Sequence, residues 1–90
     1  IQGMSGVMSI TGAPENAPYR VGYPIADTIG GITAAFAIAS ALADHNRTEP
    51  CFLDVSMLEA TLATMGWAVS NYLISGREPS PRRLPAARWR

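Results

Sequence analysis

Asp27 is the side chain in this sequence whose setting most invites chemistry. It closes the run Tyr23-Pro24-Ile25-Ala26 and precedes Thr28-Ile29-Gly30-Gly31. An acid at a helix start, flanked by apolar residues and followed by glycines, has two readings. As an N-cap it accepts from backbone N–H groups two or three positions on, for about 1 kcal/mol. As a nucleophile it attacks an activated acyl group to give a mixed anhydride, splitting one difficult transfer into easier steps. The positive end of the helix keeps such a carboxylate ionised, and oriented N–H groups steady charge developing on an acyl oxygen. Gly30 and Gly31 let a substrate approach the backbone. From spacing alone the cap is the plainer reading, and the two can hold together.

The other reactive side chains read as structural. The chain has no lysine, hence no G-x-x-x-x-G-K-[ST] phosphate loop. It has no paired-cysteine or H-E-x-x-H metal motif, so no metal site is expected. His45 is the single histidine and falls at the polar end of a helix, beside Asp44 and Asn46, where a charge on it suits the dipole. Cys51 stands in an apolar context and reads as a buried, inert thiol. Asp54 and Glu59 read as structural, and Met65, Trp67 and Tyr72 as core or interface.

The elements that position Asp27 follow from pattern. Residues 1–19 read as loop, punctuated by Gly3, Gly6 and Gly12 and by a turn cluster from Thr11 to Pro18. Arg20 to Ile25 reads as a short extended segment. Asp27 opens a helix running to about His45. Its glycines and alanines are small on every side, so it is expected to be packed on most sides. Cys51 to Val55 reads as a strand. Ser56 and Glu59 form an S-x-x-E capping box. Leu58, Leu62, Met65, Val69, Tyr72 and Leu73 then follow at helical spacing, as one helix up to the stop at Gly76. Helix, strand, helix suggests α/β architecture, with the partner strands outside this chain.

Composition narrows the function classes. The chain has 90 residues, of which 48% are hydrophobic and 16% charged, at zero formal net charge. That balance argues against a chain built to bind nucleic acid or anionic membrane. One cysteine excludes an internal disulfide framework. So few charges on so small a body, and a first residue that is not methionine, suggest a piece of a longer chain. Residues 1–76 carry a balance of −4 and residues 77–90 a balance of +4. Pro79, Pro81 and Pro85 lie in that basic stretch, so residues 79–90 read as an extended tail or linker. The uncharged run from Thr28 to Ala43 is 16 residues long and rich in small residues, which favours a core helix over a membrane span. No secretory signal is legible.

Four blocks, in order, carry a resemblance. They are Gln2-Gly3-Met4-Ser5-Gly6-Val7-Met8-Ser9, Thr11-Gly12, Val21-Gly22-Tyr23-Pro24-Ile25-Ala26-Asp27, and Leu53-Asp54-Val55-Ser56-Met57-Leu58-Glu59-Ala60. Together they resemble the class III coenzyme A-transferases, the CaiB/BaiF family, over about residues 2–78. The resemblance implies part of a large doubly wound α/β domain, mostly helical within this chain, from a cytoplasmic enzyme whose two chains interlace. It implies that Asp27 is the nucleophile that attacks an acyl-CoA thioester. It places Gln2 close to the active site, and Tyr23 is expected to border the acyl pocket. The substrates implied are an acyl-CoA and a carboxylic acid acceptor, with CoA as substrate and no resident cofactor.

Two departures from the family pattern stand out. Thr48-Glu49-Pro50-Cys51-Phe52-Leu53 lacks the glycine-containing turn that usually precedes the V-D-V strand, and the sequence after Pro79 diverges. The family also contains acyl-CoA racemases, which use a matching aspartate with an upstream histidine. A structural or assembly segment without catalysis is the remaining alternative. The 90 residues alone are expected to be inactive.

Overall fold

The computed structural model describes residues 1–81. It contains four α-helices: α1 (Gln2–Ser5), α2 (Ile25–Ala43), α3 (Met57–Ala63) and α4 (Gly66–Ser75). A 3₁₀ turn, Val7–Ile10, follows α1. No strand occurs among the described residues. The Arg/Pro-rich tail expected at 79–90 is described only as far as Pro81; residues 82–90 lie outside the described residues.

The N-terminal segment corrects the expectation of a loop. Gly6 takes a left-handed conformation (φ 83°), ends α1 and turns the chain into the 3₁₀ turn. Only glycine enters that region freely. Hydroxyls then tie the turns locally: Ser9 Oγ donates to the Gly6 carbonyl at 2.7 Å, and Thr11 Oγ1 to the Val7 carbonyl at 2.6 Å. Glycine and serine therefore mark short, closed turns here rather than open coil.

Helix α2 begins two residues before Asp27, behind Pro24, and the stretch from 20 to 24 forms no strand. It is long and apolar enough to cross a membrane, by length and composition only, with a mean hydropathy of 1.6 over an 18-residue window. Only 11% of that window is buried within the chain. Packing on most sides is therefore not met by these residues. Within the chain α2 packs chiefly against α3, leaving Ile32, Phe36 and Leu42 exposed.

Residues 51–56 have no regular structure. A strand needs a neighbouring strand for its ladder, and none occurs among the described residues. Cys51 is exposed, not buried.

The single helix expected from Ser56 to Gly76 is two. Ser56 caps α3 as expected, its side chain accepting from the Glu59 N–H at 3.2 Å. Thr61 Oγ1 then donates to the Met57 carbonyl at 2.8 Å, and Thr64 Oγ1 to the Thr61 carbonyl at 2.7 Å. Such back-bonding bends helices, and Gly66 weakens the next turn by about 1 kcal/mol relative to alanine. The helix breaks at Thr64 and Met65 and resumes at Gly66. Gly76 ends α4 at φ 68°, as the sequence indicates. The small core joins Val7 of the 3₁₀ turn to Met65 and Ala68, with Met8, Ile10 and Val21 around it. Trp67 and Tyr72 are about half exposed (52% and 48%), so of the three residues read as core or interface only Met65 enters this core.

Candidate active site

Asp27 is the third residue of α2 and exposed. The N-cap position belongs to Pro24, and no side chain caps the helix. The cap reading of Asp27 therefore fails, because the helix starts too early for it. Among the described residues its carboxylate takes part in no hydrogen bond or ion pair. A carboxylate in the first turn is still favoured by the macrodipole. What remains is an ionisable oxygen pair held in place by a rigid helix and open to an incoming group.

Two concave surfaces meet at Asp27. One, of about 330 Å³, is lined by Gln2, Gly3, Met8, Arg20, Asp27 and Met57, among others. The other, of about 290 Å³, is lined by Asp27, Gly30, Gly31, Ala34, Val55 and Met57. Met57 and Asp27 line both. The first brings a basic residue, Arg20, to the cleft that holds the carboxylate, without an ion pair between them among the described residues. The second is walled by small residues, where a chain-like substrate could lie close to the helix backbone.

Gln2 reaches this site from the other end of the fold. Its Oε1 accepts from the Val21 N–H at 2.9 Å, and its Nε2 donates to the Tyr23 carbonyl at 3.4 Å. The same Tyr23 carbonyl accepts from the Ile25 N–H at 2.7 Å, where α2 starts. Gln2 and Asp27, expected together from the sequence, do line one cleft. The Tyr23 side chain is 52% exposed and lines neither of the two clefts; its contribution is its carbonyl. His45 lies beyond the end of α2, exposed, as expected.

Arg20 and Met57 escaped the reading of the sequence as site residues. Met57 had a signal: it follows the capping serine directly, so the cap that starts α3 also aims it at α2. Arg20 had none beyond its place seven residues before Asp27.

With this geometry in hand, comparison with known proteins is decisive. The model of CoA-transferase family III matches residues 1–89. The chain belongs to CoA-transferase family III. It is 42% identical over 80 residues to a succinate–glutarate CoA-transferase of Agrobacterium fabrum, covering 88% of this chain and 20% of that protein. It is 39% identical over 82 residues to an acetyl-CoA:oxalate CoA-transferase of Acetobacter aceti, covering 89% and 21%. The crystal structure of a CaiB/BaiF family protein from Brucella suis superposes with a TM-score of 0.83 at 33% identity, over 89% of this chain and 21% of that one. The chain thus spans about a fifth of the length of the family III relatives it matches. It is a mostly helical portion of the larger family III domain, as the sequence resemblance implies.

Proposed function

We propose that this segment supplies the nucleophile of an acyl-CoA:carboxylate CoA-transferase, and that the nucleophile is Asp27. The observation that carries the reading is an exposed carboxylate, fixed in the first turn of a helix and without a partner among the described residues, at the junction of two clefts. The relatives named above are CoA-transferases, which favours transfer over racemisation.

The chemistry runs in four balanced steps. An Asp27 oxygen attacks the thioester carbonyl of the donor acyl-CoA, giving a mixed anhydride and CoA thiolate. The thiolate attacks the aspartyl carbonyl, giving an aspartyl-CoA thioester and releasing the donor as a free carboxylate. The acceptor carboxylate attacks that thioester, forming a second anhydride and again CoA thiolate. The thiolate then attacks the acceptor's acyl carbonyl, producing the new acyl-CoA and restoring Asp27. No resident cofactor or metal enters, and the covalent intermediate divides the barrier. N–H groups of the first turn of α2 and Arg20 supply positive potential for two carboxylates that must meet.

The names of the relatives, succinate–glutarate and acetyl-CoA:oxalate, point to small dicarboxylic acids as the substrate class. The reading includes a cytoplasmic, interlaced homodimer, in which the remainder of the protein and the second chain cover the apolar side of α2. The isolated segment is then inactive. The test is borohydride reduction of the full-length protein containing this segment, incubated with succinyl-CoA. The expected product is Asp27 converted to its alcohol, found by mass spectrometry. Exchange of the substrate α-proton without an adduct would assign a racemase instead, and neither outcome would leave the segment structural.

A further inference from the structure

We propose that Gln2 is a positioning residue for the nucleophile: its side-chain amide fixes the approach to α2 and so sets where Asp27 enters the cleft. The inference rests on Asp27 being the nucleophile, and adds what holds it there.

The argument starts from an entrance without a cap. A side-chain oxygen often pins a helix at its N-terminus, as Ser56 does for α3. Helix α2 has Pro24 at that place and no side-chain cap. Its entrance is held instead by an amide 19 residues away from Val21 in sequence. Gln2 Oε1 takes the Val21 N–H and Gln2 Nε2 gives to the Tyr23 carbonyl, so one planar group spans the backbone on both sides of Gly22. Gly22 brings no side chain to restrain that turn, and a Cβ there would meet nothing within 4 Å. Without the amide, the stretch from Val21 to Tyr23 keeps only the packing of Val21 on the core and the bond from Ile25 N–H to the Tyr23 carbonyl.

Gln2 is itself anchored. Its carbonyl accepts from Ser5 Oγ at 3.1 Å, and Ser5 is buried, with 4% of its surface exposed. Helix α1, which carries Gln2, packs against α3, which also packs against α2. The amide therefore closes a ring running through α1, α3, α2 and the 21–23 stretch. The Tyr23 carbonyl at one end of the clamp also accepts from Ile25 N–H, two residues before Asp27. A shift there moves the carboxylate. A misplacement of about 1 Å can cost on the order of 10²-fold in rate.

The test uses Gln2→Met in the full-length protein, which keeps the volume and removes both hydrogen bonds. Turnover is expected to fall by about 10- to 100-fold, with KM for acyl-CoA within about twofold, and the trapped Asp27 adduct still forms, only more slowly. A rise in KM with kcat unchanged would make Gln2 a substrate contact and overturn the proposal, as would unaltered kinetics. Gln2→Glu guards against a folding defect. It keeps the acceptor for Val21 and loses the donor for Tyr23 until the carboxyl protonates. Its deficit relative to the unsubstituted protein is expected to shrink as pH falls towards the ordinary carboxyl range near ~4.3. A deficit that does not change with pH overturns the clamp. Asp27→Asn separates the two ideas: if it retains turnover, the nucleophile reading fails whatever Gln2 does.

Discussion

Met57 rests on the bare backbone of Gly30: a Cβ at position 30 would lie 2.9 Å from Met57 Cγ. That contact joins α3 to α2 one turn beyond Asp27, and Met57 lines the cleft on each side of the carboxylate. Gly31, its neighbour, has nothing within 4 Å of the same construction. Two adjacent glycines therefore answer to different demands. Replacing a mid-helix glycine by alanine gains about 1 kcal/mol of helix propensity. Gly31→Ala should realise that gain in the isolated chain, read as greater helicity by circular dichroism. Gly30→Ala should gain less or lose, because Met57 must move. Equal gains at both sites would show that the α2–α3 contact does not form in solution.

Asp27 should be dispensable for stability and indispensable for turnover. It is exposed and makes no hydrogen bond among the described residues, so Asp27→Asn loses only a dipole interaction of about 0.3–1 kcal/mol. In the full-length protein the variant should unfold within a few degrees of the parent. Its kcat should drop by on the order of 10³-fold or more if the proposed anhydride forms on this carboxylate.

The two ends of the α3–α4 pair carry separable contributions. Ser56→Ala removes the acceptor for the Glu59 N–H and should cost about 1 kcal/mol. Gly76→Ala forces a Cβ into the left-handed region at φ 68° and should cost about 1 kcal/mol as well. Glu59→Gln should cost no more than a dipole interaction of about 0.3–1 kcal/mol, since the cap bond uses the backbone N–H of residue 59 rather than its carboxylate. Denaturant melts of the three variants check the ranking.

Cys51 offers a footprint. Its thiol is exposed beside Phe36, Ala37 and Leu53, along the uncovered side of α2. In the isolated chain a maleimide should label it at the rate of a free thiol. In the full-length protein the same site should be protected, if the apolar side of α2 is covered there. Equal labelling in both would remove the argument that this surface belongs to an interior.

What was legible in the sequence was local. The capping serine, the glycine stop at Gly76 and the small-residue helix are written in short windows and appear in the structure. Failures came where short windows conflict. The break at Thr64 and Met65 arises from threonine hydroxyls bonding back to their own helix, which a hydrophobic period does not register. The strand expected at 51–55 and the buried thiol both depend on neighbours, which the described residues do not supply. The site divides the same way. Asp27 and Gln2 were marked by motif and Met57 by its place after the capping serine, whereas Arg20 enters its cleft only through tertiary geometry.

Ile32, Phe36 and Leu42 leave a greasy stripe along α2, at 62%, 74% and 69% exposure. The described residues of this segment, about a fifth of the length of its relatives, leave that stripe uncovered. Until its coverings are synthesised, the nascent polypeptide is a client for chaperones and prone to self-association. Expressed by itself, the segment should stay in solution only when dilute or joined to a soluble fusion partner.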